Sequence, residues 1–133
     1  MPIQTRYTLT TRLLAPIDQA RPVVEAALRR EGFGVLTEID VQATLKTRLG
    51  IEGEPYLILG ACNPPLAHRA LTADPSVGAL LPCNVVLRAD GAGTIVEAMD
   101  PAAVMSLVDD RELAAVAAEA RARLARALDA LEV

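Results

Sequence analysis

The sequence predicts an α+β fold with a mainly antiparallel sheet, and three observations carry that expectation. Two β-prone runs, Asn84–Ala89 and Thr94–Ala98, flank Asp90-Gly91-Ala92-Gly93, which is hairpin chemistry. Arg6 to Leu14 alternates, with Tyr7, Leu9, Thr11 and Leu13 set against Arg6, Thr8, Thr10 and Arg12. That is the period of a half-buried strand. From Arg111 to Leu131 the period becomes helical, with Leu113, Val116, Ala117, Ala120, Leu124, Leu128 and Leu131 on one stripe. Hairpin-linked strands beside segregated helices define the α+β class.

The remaining elements follow in order. Pro16 ends the first strand, and Asp18 is positioned to cap a helix that buries Val23, Val24, Ala27 and Leu28. Pro22 is tolerable there only near the first turn, and Gly32 stops the helix. Gly34–Asp40 reads as a strand. Asp40 then caps a short helix, Val41 to Leu49, with Val41, Leu45 and Leu49 on one face, and Gly50 ends it. Tyr56–Cys62 is apolar at nearly every position and belongs in the middle of the sheet. Asn63 suits an N-cap and Pro64 the first helical position, with Leu66, Ala70 and Leu71 facing inward. Val77 to Leu81 forms one short helical turn. Asp100 and Pro101 open a helix carrying Val104, Met105 and Val108. The bland role of the final stripe is core packing across the sheet. No repeat or linker divides the 133 residues, so one domain is expected.

Composition narrows the function classes. A chain of this length buries roughly two-thirds of its unfolded surface, so it needs neither disulfide nor metal to hold a core. Aromatics are 2% and tryptophan is absent, which disfavours stacking on single-stranded nucleic acid. The net charge is −4, with 13 basic and 17 acidic residues interspersed. No basic block is available for a phosphate backbone, so no nucleic-acid partner is expected. Phosphate-binding glycine loops are missing. The start, MPIQTRYTLTTRLLAP, lacks the pattern of a secretory signal, and no apolar run of about 18 residues could span a membrane. A cytoplasmic protein with two free thiols and no membrane partner is expected.

Both cysteines precede asparagines, in LGACNPPLAHRAL and LLPCNVVL. Together with GFGVLTEIDVQATL, these phrases resemble the family called Domain of Unknown Function 302, over about Tyr7 to Ala98. The final helix fits that family by position rather than by motif. The resemblance implies a TATA-binding-protein-like fold, an antiparallel sheet with helices packed on one face, and a homodimer. It implies no activity. Some branches carry a histidine shortly after the second strand, where a haem or redox role could be imagined. This chain has Val41 and Gln42 there, which speaks against a histidine-ligated cofactor. A shared fold does not imply DNA binding.

Candidate site residues cluster at the cysteine–asparagine turns. If the strands ending at Cys62 and starting at Cys83 are antiparallel neighbours, both thiols lie at one end of the sheet. Two thiolates suit a soft metal, with His68 as a third ligand, or form a reversible disulfide. Asn63, Asn84, Asp40, Glu38 and Tyr56 add polar groups that could share a pocket. Each has a plainer role. Cysteines often pack as small hydrophobes, Asn63 and Asp40 suit caps, and Glu38 suits a wet strand face. No Cys-x-x-Cys spacing lowers a thiol pKa, and no third group orients His68 against either cysteine. The acidic pairs Asp109-Asp110 and Glu52/Glu54 sit in turns and read as solvated. No catalytic residue is assigned and no cofactor is named. The leading expectation is non-enzymatic binding of a small ligand or metal near the turns, at Asp40, Tyr56, Cys62, Asn63, Cys83 and Asn84. The alternatives are a thiol redox enzyme using Cys62 and Cys83, and a structural homodimeric interaction module.

Overall fold

In the computed structural model, which describes residues 2–131, six strands form one antiparallel sheet. In chain order the elements are β1 (Ile3–Gln4), β2 (Thr8–Leu13), α1 (Ile17–Arg30), β3 (Gly34–Asp40), α2 (Val41–Leu49), β4 (Tyr56–Cys62) and α3 (Pro64–Ala73). A 3-10 turn (Pro75–Leu80), β5 (Cys83–Asp90), β6 (Gly93–Met99), α4 (Pro101–Met105) and α5 (Arg111–Asp129) complete them. The strand order is β1-β2-β6-β5-β4-β3. Thus β4 is interior, as its apolar run requires, but the centre belongs to the β5–β6 hairpin. That hairpin closes on Gly91-Ala92, with Gly91 at φ 60°.

The pleat sorts the side chains. Leu9, Ala98, Val85 and Leu59 stand opposite one another across four strands and are all buried. In the next row, Val96 and Leu87 are buried beside half-buried Leu57. These rows meet Ala20, Val24, Ala27 and Leu28 of α1 and Leu124, Ala127 and Leu128 of α5. A second cluster joins Leu66 and Ala70 of α3, Val77 and Met105 to Leu113, Val116, Ala117 and Ala120 of α5. The α5 stripe therefore changes partner partway along its length.

The caps explain several boundaries. Gly32 takes φ 85°, while Phe33 N–H donates to Leu28 O and Gly32 N–H to Arg29 O. This is a Schellman closure, and it delivers Phe33 into the core. Asp40, Asn63, Asp100 and Asp110 each accept a backbone N–H at a helix start. Asp110 thus acts as a cap rather than as half of a solvated acidic pair. Asp100 is also buried and accepts from Arg121 Nε at 3.2 Å, which ties the start of α4 to α5.

Some expectations are corrected. The cap position of α1 is Pro16, with no side-chain bond, and Asp18 lies inside the first turn. Pro22 is well inside that helix, not in its first turn. Both Pro22 and Asp18 are exposed, so the break in the ladder faces solvent. Val23 and Leu71 are 47% and 41% exposed, not inward. The α2 helix fully buries no residue: on its expected face Val41 and Leu45 are half-buried and Leu49 is exposed. The short strand β1 gave no periodic signal.

Two truncations test the division between core and surface. Leu124→Ala, at a fully buried site, should cost about 2–5 kcal/mol in urea unfolding. Leu107→Ala, at a side chain 78% exposed, should stay within about 0.5 kcal/mol of the parent.

Candidate functional site

The site is built from the two ends of the β4–β5 pair. β4 runs into α3 through Asn63, and β5 begins at Cys83 after the 3-10 turn. Asn63 holds this corner together. Its Oδ1 accepts Leu66 N–H at 3.3 Å, and its Nδ2 donates to Glu31 O at 3.4 Å. The same carbonyl accepts from Arg123 Nη1 at 3.3 Å, so α1, α3 and α5 converge there. The close approach needs a glycine. A Cβ on Gly32 would lie 2.8 Å from Asn63 Nδ2.

Between this corner, α3 and α5 lies a cavity of about 370 Å³. Small residues create it, namely Ala61, Ala67, Ala70, Gly78, Ala117 and Ala120. Leu66, Met105 and Val116 complete its buried floor. Its rim is exposed at Leu36, Thr37 and Leu71. None of the lining residues is charged. Leu36 reaches the rim because the β3–β4 register skips it, pairing Val35 with Ala61 and then Thr37 with Gly60. The bulge turns Leu36 outward, where it is 68% exposed. Gly60 accommodates the neighbouring pair, since a Cβ there would meet Thr37 Oγ1 at 2.1 Å and Pro82 at 2.9 Å.

Both cysteines line this cavity and both are free thiols. The strands are antiparallel neighbours, but Cys83 stands opposite Ala61, not Cys62. Cys62 is half-buried and pairs instead with Gly34 on the other side. Successive residues point to opposite faces, so the two side chains leave the pleat in opposite directions. Burial pushes the Cys83 thiol up to about 11, and the nearby Cys62 adds to the shift. At neutral pH Cys83 is therefore a protonated, weakly reactive thiol.

The other candidates lie elsewhere. Asp40 and Tyr56 sit at the far end of β4, about 20 Å from Cys62 at strand spacing. There Asp40 caps α2 through Ala43 N–H at 2.9 Å. Both residues border a more polar hollow shared with Asp18, Arg21 and Glu38. Glu38 shares the row of Leu59 and pairs with Arg21 of α1, so it is not a free acidic group. Asn84 is exposed on the sheet face opposite the helices, opposite Gly60 in the register. His68 is exposed on α3 and does not line the cavity. Among the described residues, no group of three His, Cys, Asp or Glu side chains is placed to hold a metal. No helix among them is long and apolar enough to cross a membrane. The residues that sequence reasoning missed are the alanines of α3 and α5, which look like ordinary core in one dimension.

A family model described as "Domain of unknown function DUF302" matches residues 7–131. The chain belongs to that family. The match extends through α5, so the final helix is part of the shared domain and not an appendage. The crystal structure of an uncharacterized conserved DUF302 protein from Bacillus stearothermophilus is similar, with a TM-score of 0.88 and 29% identity. The alignment covers 96% of this chain and 100% of that one. No curated protein matches the chain. The six-stranded antiparallel sheet and its helices thus agree with a DUF302 member known by crystallography.

Two outcomes test the corner. The folded pKa of Cys83 lies above its ordinary value of 9.0, so its stabilising share is intact below pH 9. That share is lost as pH rises from 9.0 towards about 11, and Cys83→Ala should flatten this part of the alkaline stability curve. Asn63→Ala should lower stability by about 1–2 kcal/mol in denaturant unfolding, because it removes a helix cap.

Proposed function

We propose that this DUF302 domain binds a small apolar molecule in the cavity between α3, α5 and the β4–β5 ends. One observation carries the reading, a cavity of about 370 Å³ whose lining includes no charged side chain. Natural cores close-pack, and gaps much larger than a water molecule are few. A ligand that fills this space recovers the dispersion contacts that its lining lacks. Ligand pockets of this kind are mainly apolar, with a few polar groups at fixed positions. Here the polar residues of the lining are Asn63, Thr37 and the two cysteines, but its exposed surface is almost wholly apolar. Cys62, Asn63 and Cys83 are thus the ligand-binding candidates of this reading. The protonated state of Cys83 weighs against thiol redox work at neutral pH.

A second reading concerns assembly. The sheet face opposite the helices carries half-buried Tyr56, Ile58, Val86, Ile95 and Met99 around the Arg88–Glu97 pair. An apolar, uncovered face of this kind supports a homodimer formed through it.

Both readings are directly testable. Ala117→Leu, which fills the cavity, should abolish binding of a fluorescent apolar probe while keeping or raising the melting temperature. Unchanged probe binding by that variant would exclude the cavity. For assembly, analytical ultracentrifugation should give a dimer mass for the parent and a monomer mass for Ile58→Arg; a monomeric parent ends that reading.

A further inference from the structure

Two surfaces of this chain lack a cover, and both are apolar. The first is the excursion between β3 and β4. Residues 41–55 leave the sheet at Asp40 and return at Tyr56, and only Val41, Gln42 and Leu45 among them are half-buried, the rest being exposed. Helices shorter than about 12 residues are marginal in water, and most helical stability comes from a packed apolar face. The α2 helix has nine residues and fully buries none of them. Its own caps hold it, Asp40 through Ala43 N–H and Gly50 in the left-handed region at φ 67°. Those caps leave Leu49 66% and Ile51 48% exposed where the helix ends.

The second surface is the sheet face away from the helices. Asn84 near the start of β5 and Met99 at the end of β6 mark the end of the sheet far from the arm, since Tyr56 opens β4 opposite Arg88. A hollow of about 290 Å³ lies there, lined by Tyr7, Asn84, Met99 and Val104, and it runs along Val86 towards Tyr56. Both surfaces are electrically balanced. On the arm, Lys46 pairs with Glu52, and Arg48 and Glu54 add one charge of each sign. On the face, Arg12 pairs with Asp90 and Arg88 with Glu97. Bringing the two together therefore strands no uncompensated charge. A chain of net charge −4 meets a second copy of itself most easily through neutral surfaces of this kind.

We infer, building on the homodimer proposed above, that the α2 arm of each copy covers the sheet face of the other. In an isologous pair joined face to face with antiparallel strands, the Asp40–Tyr56 end of one sheet overlies the Asn84–Met99 end of its partner. Leu49 and Ile51 of the arm then enter the hollow beside Tyr7 and Met99. Each copy supplies the cover that the other's face lacks, and each arm gains the packing that α2 lacks within one chain.

The test uses the full chain in analytical ultracentrifugation. Leu49→Lys with Ile51→Lys removes the apolar side chains of the arm. Both residues are exposed, and a lysine near a helix C-terminus is favourable, so this variant should fold, as circular dichroism would check. Its dimer dissociation constant should rise at least about a hundredfold, the worth of two buried aliphatic side chains. The decisive sample mixes this variant with Ile58→Arg. One chain keeps its arm and the other keeps its face, so one arm-to-face contact is intact in the mixed pair. The equimolar mixture should dimerise at least about tenfold more tightly than either variant alone. An arm variant that dimerises as tightly as the parent would overturn the inference and leave the sheet-face homodimer standing. Two monomeric variants whose mixture stays monomeric would overturn the pairing of arm with face in the same way. A monomeric parent ends the homodimer reading and this inference together, and leaves both surfaces to a different protein.

Discussion

The structure depends on how one helix stripe is shared. α5 buries Leu124, Ala127 and Leu128 against the sheet and α1, and Leu113, Val116, Ala117 and Ala120 against α3 and α4. A straight helix cannot follow both a twisted sheet and a helix packed beyond the sheet's end. Something must fill the seam where its partner changes. Here the residues at the seam are small, and the cavity lies among them. The space is thus a consequence of architecture combined with alanine, since larger side chains at Ala70, Ala117 or Ala120 would project into it.

The turn after β4 supports the same seam from outside. Asn63 caps α3 and bonds the end of α1, while Arg123 reaches the same carbonyl from α5 and Arg126 pairs with Glu31. Two helix ends and the body of α5 are fixed at one point. The cysteine–asparagine phrase that stands out in the sequence is explained first by this geometry. Asn63 works as a bridge, and Cys83 as a buried small side chain with its proton retained. Asn84 has a different surrounding, on the uncovered sheet face. The repeated dipeptide therefore does not mark a repeated function.

Local chemistry made most elements legible. The strands Gly34–Asp40 and Tyr56–Cys62, the Asp40, Asn63 and Asp100 caps, and the Gly32 and Gly50 stops all follow from side-chain geometry within a few residues. Where the reading missed, the deciding partner was distant. Leu71 satisfies the helical period of α3 yet lies exposed on the rim, because the wall it would have covered recedes at Ala67 and Ala70. The face of α2 looked amphipathic, yet the chain beside it covers that face only in part, leaving Val41 and Leu45 half-buried and Leu49 exposed.

The sequence by itself determined the α+β class, the hairpin, the caps and the family, because each is written in short-range patterns or in long unusual phrases. It also determined that a centre ligated by cysteine and histidine has only two cysteines and one histidine to draw on. Only the tertiary structure decided which candidates meet. The strand register set Cys83 opposite Ala61, and the length of β4 separated Asp40 and Tyr56 from the cysteines. The seam between two helix clusters turned unremarkable alanines into the walls of a cavity. Register and layer contacts join residues far apart in the chain, and no local pattern encodes the space left between them.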